Sequence, residues 1–214
     1  MFGLAAGSHS MSQEEIINIC KQSHPQLTAL LLILLQPEDA ASILSHLPLS
    51  LVFELSLRIL QTETADPLAI STIHDSFKNI VTLQSDRIYI NRNDVLIDIL
   101  LHMNYLLRRD VILYLREIEN IAISYTGILI VEDIVILNDT FVCDIVRSTS
   151  LTDILSILRI IPEEVKAKIL SCYPDETIQQ IKSDLEWGGS IRVEIIARAS
   201  QKLVTRINTL LALQ

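Results

Sequence analysis

One segment of the chain recurs twice, and this repetition constrains the fold more than any other feature. Ile43-Leu44-Ser45-His46-Leu47-Pro48, followed by Leu51 and Leu55, is echoed by Ile99-Leu100-Leu101-His102-Met103-Asn104 with Leu107 and Val111. A second echo is Ile157-Leu158-Arg159-Ile160-Ile161-Pro162 with Val165 and Ile169. Each unit reads as helix, tight turn, helix, because apolar residues fall three and four apart on both sides of the turn. A helical pair of this kind carries an apolar stripe that it cannot cover alone, so such units stack on one another. His46 and His102 share one position of the repeat, which favours packing at a helix edge over catalysis.

The composition suits stacked helices. Apolar residues make up 50% of the 214, aromatics only 5%, glycines number 5, and the mean hydropathy is +0.39. The excess is aliphatic, which argues against collagen-like and disordered chains. With 17 Lys and Arg against 26 Asp and Glu, the net charge of -9 repels a phosphate backbone, so no nucleic-acid partner is expected. The run Leu27 to Leu35, between Pro25 and Pro37, falls well short of the ~20 residues that span a bilayer, and no transmembrane segment is expected. Cys20, Cys143 and Cys172 are odd in number and form no Cys-x-x-Cys pair, which predicts free, buried thiols in a reducing compartment.

Local signals place the elements. Ser12-Gln13-Glu14-Glu15 reads as a helix cap, Pro25 opens a Leu-rich helix over 26–36, and Pro37-Glu38-Asp39 opens the next. Glu132-Asp133 starts another helix, and Asn138-Asp139-Thr140 caps the one after it. Two joints are expected, one around Ser85 to Asp94 with the apolar piece Ile88-Tyr89-Ile90, the other from Ile121 to Val131. In the second joint the run Ile128-Leu129-Ile130-Val131 is β-branched and apolar, and periodicity does not separate strand from helix. No Gly-x-Ser-x-Gly, His-Glu-x-x-His or phosphate-loop pattern occurs, Gly188-Gly189 included, and the histidines have no partners at metal-ligand spacing. A non-enzymatic chain without a metal or cofactor is expected.

Ser23-His24-Pro25-Gln26, the Leu-rich run after it and Pro37-Glu38-Asp39-Ala40-Ala41-Ser42-Ile43-Leu44 resemble the middle domain of the FliG family of bacterial flagellar motor switch proteins. The family has Glu-His-Pro-Gln at the first of these, and Ser23 replaces its acid. Val131-Glu132-Asp133-Ile134-Val135-Ile136-Leu137-Asn138-Asp139 is similar to the family's Phe-Glu-Asp-Ile-Val-Leu-Leu-Asp-Asp segment, and Ile128 to Val131 occupy its Met-Phe-x-Phe hinge. Pro162-Glu163-Glu164-Val165-Lys166 and Ser183-Asp184-Leu185 to Arg192 resemble its C-terminal torque domain.

Repeats and resemblance together predict an all-α chain of armadillo-like helical repeats, an α-solenoid with a right-handed superhelix, closed by a C-terminal helical bundle. The expected divisions are a flexible tail (1–11), a middle armadillo-like domain (12–90), a second armadillo-like unit (91–127), a hinge (128–131) and a torque-type domain (132–214). By resemblance, His24, Pro25 and Gln26 contact the switch protein FliM, and Ile128, Leu129, Ile130 and Val131 form the hinge. Arg159, Asp184 and Arg192 carry the charges facing the stator MotA. The resemblance also implies stacking between neighbouring copies and a place at the cytoplasmic face of the inner membrane. Glu176 stands where the family has Arg and Ser183 where it has Asp, so the charge pattern departs from the family's. No counterpart of the family's FliF-docking N-terminal domain is recognised, and Arg92-Asn93-Asp94 replaces a Gly-rich linker, as in a divergent or duplicated copy or a separately encoded part of a switch protein. Two alternatives are a regulatory module like the cytosolic domain of MgtE-type transporters, with Mg²⁺ at Glu132, Asp133 and Asp139, and a type III secretion scaffold of the same fold.

Overall fold

The Leu27–Leu35 run becomes the centre of the first half of the protein. In a computed structural model of the chain, the described residues are 13–62, 92–119 and 128–212, with Leu68, Ser71 and Ile73. The expected tail, most of the joint at 85–94 including Ile88-Tyr89-Ile90, and positions 121–127 lie outside them. The chain divides into two compact units, one through Ile128 and one from Leu129. All regular structure among the described residues is helical.

The first unit contains α1 (Gln13–Gln22), α2 (Pro25–Leu34), α3 (Pro37–Leu44), α4 (Leu49–Gln61), α5 (Arg92–His102) and α6 (Tyr105–Glu119). Every residue of α2 from Thr28 to Leu34 is buried, as is Leu35 after it. A helix apolar on all sides needs neighbours on all sides, and α2 finds them in α3 and above all α4. This is why so apolar a run need not enter a membrane. Leu35 turns to an extended conformation and ends the helix two residues before Pro37, which opens α3. In turn α5 packs on α3 and α4, α6 packs on α4, and Phe53 stacks on Tyr114 at 4.4 Å between ring centres.

The repeat register holds at most of its apolar positions, although Leu51 and Leu107 are half-buried where Val165 is buried. Ile43, Ile99 and Ile157 are fully buried; so are Leu44, Leu100 and Leu158, and Leu55, Val111 and Ile169. Leu47, Met103 and Ile161, at the turns, are buried as well. His46 and His102 end their helices in the same way. Each Nδ1 donates 2.8 Å to the carbonyl four residues earlier, Ser42 and Asp98, and so occupies an acceptor that the helix end leaves open. The His102 Nε2 also lies 3.2 Å from Glu38 Oε1, tying α5 to α3.

The second unit begins with a 3-10 helix (Val131–Ile136), followed by α7 (Asp139–Arg147), α8 (Leu151–Ile157), α9 (Glu163–Leu170), α10 (Asp175–Trp187) and α11 (Val193–Leu211). Helix α11 buries Ile196, Ala199, Ser200, Leu203, Val204 and Ile207, one stripe at three- and four-residue spacing, and lays it mainly against α8. The cap expected at Asn138 is present, its Oδ1 accepting from the amides of Thr140 at 2.9 Å and Phe141 at 3.4 Å. The helix expected from Glu132-Asp133 is instead a single short 3-10 segment. Leu137 is already extended and Asn138 caps the next helix, so there is no room for more than a tight turn.

The cysteine expectation needs the larger correction. Only Cys20 is a free, buried thiol, whereas Cys143 and Cys172 form a disulfide. Sequence separation concealed this, because the two are 29 positions apart along the chain while their Cα atoms are 4.9 Å apart.

The register predicts a contrast within one turn of α5. Leu100 is fully buried and Leu101 is 53% exposed. Leu100→Ala should destabilise the first unit by about 2–5 kcal/mol through lost burial and a cavity, and Leu101→Ala by less than about 0.5 kcal/mol. Urea unfolding followed by circular dichroism measures both, and equal losses would refute the register.

Candidate functional site

Three groups of residues were singled out from sequence, and each has a distinct local setting. His24 is the N-cap of α2: its Nδ1 accepts from the Gln26 amide at 3.2 Å, and Pro25 supplies the first helical residue, where no amide hydrogen is needed. The Gln26 side-chain oxygen accepts from Arg58 Nη1 at 3.2 Å, and the same guanidinium grips Glu54 at 2.8 Å. A chain of polar contacts therefore fixes Gln26 to α4. His24 and the 48% exposed Leu27 remain at the surface beside it.

The run Ile128 to Val131 is neither a strand nor a regular α-helix. Ile128, Ile130 and Val131 are buried and Leu129 is half-buried. The boundary between the two units falls between Ile128 and Leu129. Just beyond it, the buried Asp133 carboxylate accepts from the Ile130 amide at 2.8 Å while the Asp133 amide donates to the Ile130 carbonyl at 3.1 Å. This reciprocal pair caps the 3-10 helix and fixes Ile130 at its start. It also occupies one carboxylate considered for Mg²⁺, and Asp139, another, pairs with Lys168 at 2.9 Å.

Of the three charges, Arg159 and Asp184 line one cleft of about 480 Å³ together with Trp187, Gly188 and Gly189, while Arg192 stands exposed at the N-cap of α11 and does not line it. Arg159 follows α8, and its Nε is buried without a hydrogen-bond partner among the described residues. Its guanidinium lies against Gly188. A methyl group there would collide with Arg159 Nη2 and the Asp184 carbonyl oxygen. The backbone of Gly188 (φ -68, ψ 126) is open to any residue, so space and not conformation requires glycine. Glu176 lies exposed in the first turn of α10, where a carboxylate meets the positive end of the helix dipole and an Arg would not. Ser183 is exposed further along the same helix.

No motif of the sequence marks Trp187 or the packing of Arg159 on Gly188. Trp187 is the only tryptophan and is 83% exposed, and it stands directly before the glycine that accommodates Arg159. A lone aromatic beside a glycine doublet in an aromatic-poor chain was the available signal.

Fold and surface define an all-α protein of the helical-repeat class, with no helix among the described residues long and apolar enough to cross a membrane. The FliG middle-domain family matches residues 13–87, and the FliG C-terminal-domain family matches residues 126–213. The chain belongs to the FliG family. Two flagellar motor switch proteins FliG are similar to it over 201 residues, that of Bacillus subtilis at 22% identity and that of Thermotoga maritima at 24%. Each comparison covers 92% of this chain, and the chain spans 60% of the length of those relatives. Among solved structures, a FliG fragment from H. pylori is 18% identical with a TM-score of 0.40, covering 94% of this chain and 89% of that one. Full-length FliG from Aquifex aeolicus is 20% identical with a TM-score of 0.41, covering 94% and 64%.

Two substitutions probe these settings. Asp133→Ala leaves the Ile130 amide unpaired and should cost about 1–3 kcal/mol, while Asp133→Asn, which keeps an oxygen acceptor, should cost less. Gly188→Ala should displace the Arg159 guanidinium and destabilise the second unit by about 1–3 kcal/mol through overpacking, measured by urea unfolding. An unchanged stability would refute the close packing of Arg159 on Gly188.

Proposed function

We propose that the chain is a non-enzymatic rotor component of the bacterial flagellar motor switch. The observation that carries this reading is the ordered match of both the middle and the C-terminal FliG domain families to one chain. In this role the surface around His24, Pro25 and Gln26 binds a FliM-like switch protein. Its support is local: Gln26 is clamped by Arg58, so the exposed His24 and Leu27 are presented in a fixed geometry and lose little freedom on binding.

The segment Ile128 to Val131 serves as the hinge. Exposed aliphatic residues such as Leu49, Leu101 and Ile118 in the first unit supply apolar surface for stacking against neighbouring copies in a ring. The second unit faces a MotA-like stator with Arg159, Asp184 and Arg192. Charges sensed across water are worth only ~1 kcal/mol per close pair, so the arrangement matters more than any single group. A guanidinium held against Gly188 is a fixed charge that needs no reorganisation when the partner passes. The site of action is the cytoplasmic face of the inner membrane.

Two measurements test the proposal. Binding of purified chain to the FliM of the same organism, followed by calorimetry, should weaken about tenfold or more, some 1.4 kcal/mol, on His24→Ala with Gln26→Ala; no binding by the parent chain would refute the switch role. In the source organism, Arg159→Glu should impair swimming while the protein still assembles at the motor, and normal swimming would remove Arg159 from the stator-facing set.

A further inference from the structure

The disulfide joins two elements that other bonds already hold together. Cys143 lies in α7 and Cys172 just beyond the end of α9. Along the same seam the Arg147 Nε donates 2.8 Å to the Cys172 carbonyl, and the Tyr173 hydroxyl donates 3.3 Å to the Val146 carbonyl. Lys168 donates to the carbonyls of Leu137 at 2.6 Å and Val135 at 2.8 Å and pairs with Asp139. With the sulfurs apart, these contacts still keep the two cysteines opposed. The bond is therefore not what brings α7 and α9 together.

The two sulfurs differ in access. Cys143 is half-buried, whereas Cys172 is 1% exposed. Cys20 lies in the other unit and is buried, and burial pushes its thiol up to about 11, so it offers almost no thiolate to a reagent near neutrality.

We infer that Cys143 and Cys172 form a reversible thiol-oxidation site that takes a low-molecular-weight disulfide as its oxidant, with Cys143 attacking and Cys172 resolving. The Cys143 thiolate attacks one sulfur of the small disulfide, breaking its S–S bond, forming a mixed disulfide and releasing the first small thiol. The Cys172 thiolate then attacks the Cys143 sulfur, forming the protein bond and releasing the second. Two protons and two electrons pass from the cysteine pair to the reagent, which leaves as two thiols. In a reducing compartment, bonds of this kind are formed and broken in use and are not permanent staples. The reversibility of the bond rests on the cytoplasmic placement of the proposed function, whereas the thiol chemistry itself is tested on the purified chain.

The reduced full-length chain is treated with oxidised glutathione and followed by mass spectrometry and by thiol titration in denaturant. The count should fall from three thiols to one, Cys20, with a mass loss of two hydrogens. The oxidised form should melt at least ~5 °C higher while its helical circular dichroism stays unchanged. Cys172→Ser should trap one glutathione on Cys143, and Cys143→Ser should gain none; Cys172→Ala and Cys143→Ala replace either variant that fails to fold. Three surviving thiols in the wild type, an adduct on Cys172 in Cys143→Ser, or loss of helix on reduction would each overturn the inference.

Discussion

A ten-residue helix with apolar side chains on every side has no stable place except among other helices, and the first unit is arranged around this requirement. With Thr28 to Leu35 all buried, α2 must be covered by α3 and α4, and these in turn offer faces to α5 and α6. Each fully buried Leu or Ile contributes about 1.5–3 kcal/mol, so successive layers of short helices can stand without long-range polar order. The same logic spaces Ile43, Leu44 and Leu55 against Ile99, Leu100 and Val111. Helices of this length are marginal alone and derive their stability from packing.

The second unit relies on the same aliphatic burial and is also tied by polar contacts at its seams. The Asp133 carboxylate on the Ile130 amide, Lys168 on two carbonyls and Asp139, and Arg147 on the Cys172 carbonyl all close backbone groups that short helices leave open at their ends. With so many helix ends in so few residues, satisfying those groups becomes a large part of the design. The cysteine pair sits in this setting as an addition to a seam that is already formed.

The proposed functional surfaces are placed by the same constraints. Gln26 is held because Arg58 needs partners, and His24 is displayed because it caps a helix whose remainder is buried. Arg159 is half-withdrawn into a cleft because Gly188 leaves room for it. A charge placed in that way has a defined position, which a long side chain on an open surface lacks.

The sequence by itself determined the all-α class, the repeat register at 43, 99 and 157, and the caps at Asn138 and the prolines. All of these follow from apolar spacing and local backbone chemistry, which act over a few residues. The membership in a known family was likewise legible, through short motifs in the right order. The tertiary structure alone decided that Cys143 meets Cys172, that Arg159 and Asp184 share a cleft while Arg192 does not, and that Glu132-Asp133 forms a 3-10 turn and not a full helix. The first two depend on how helices distant in the chain are brought side by side, which no local periodicity encodes, and the third on the extended Leu137 that ends the turn before the Asn138 cap.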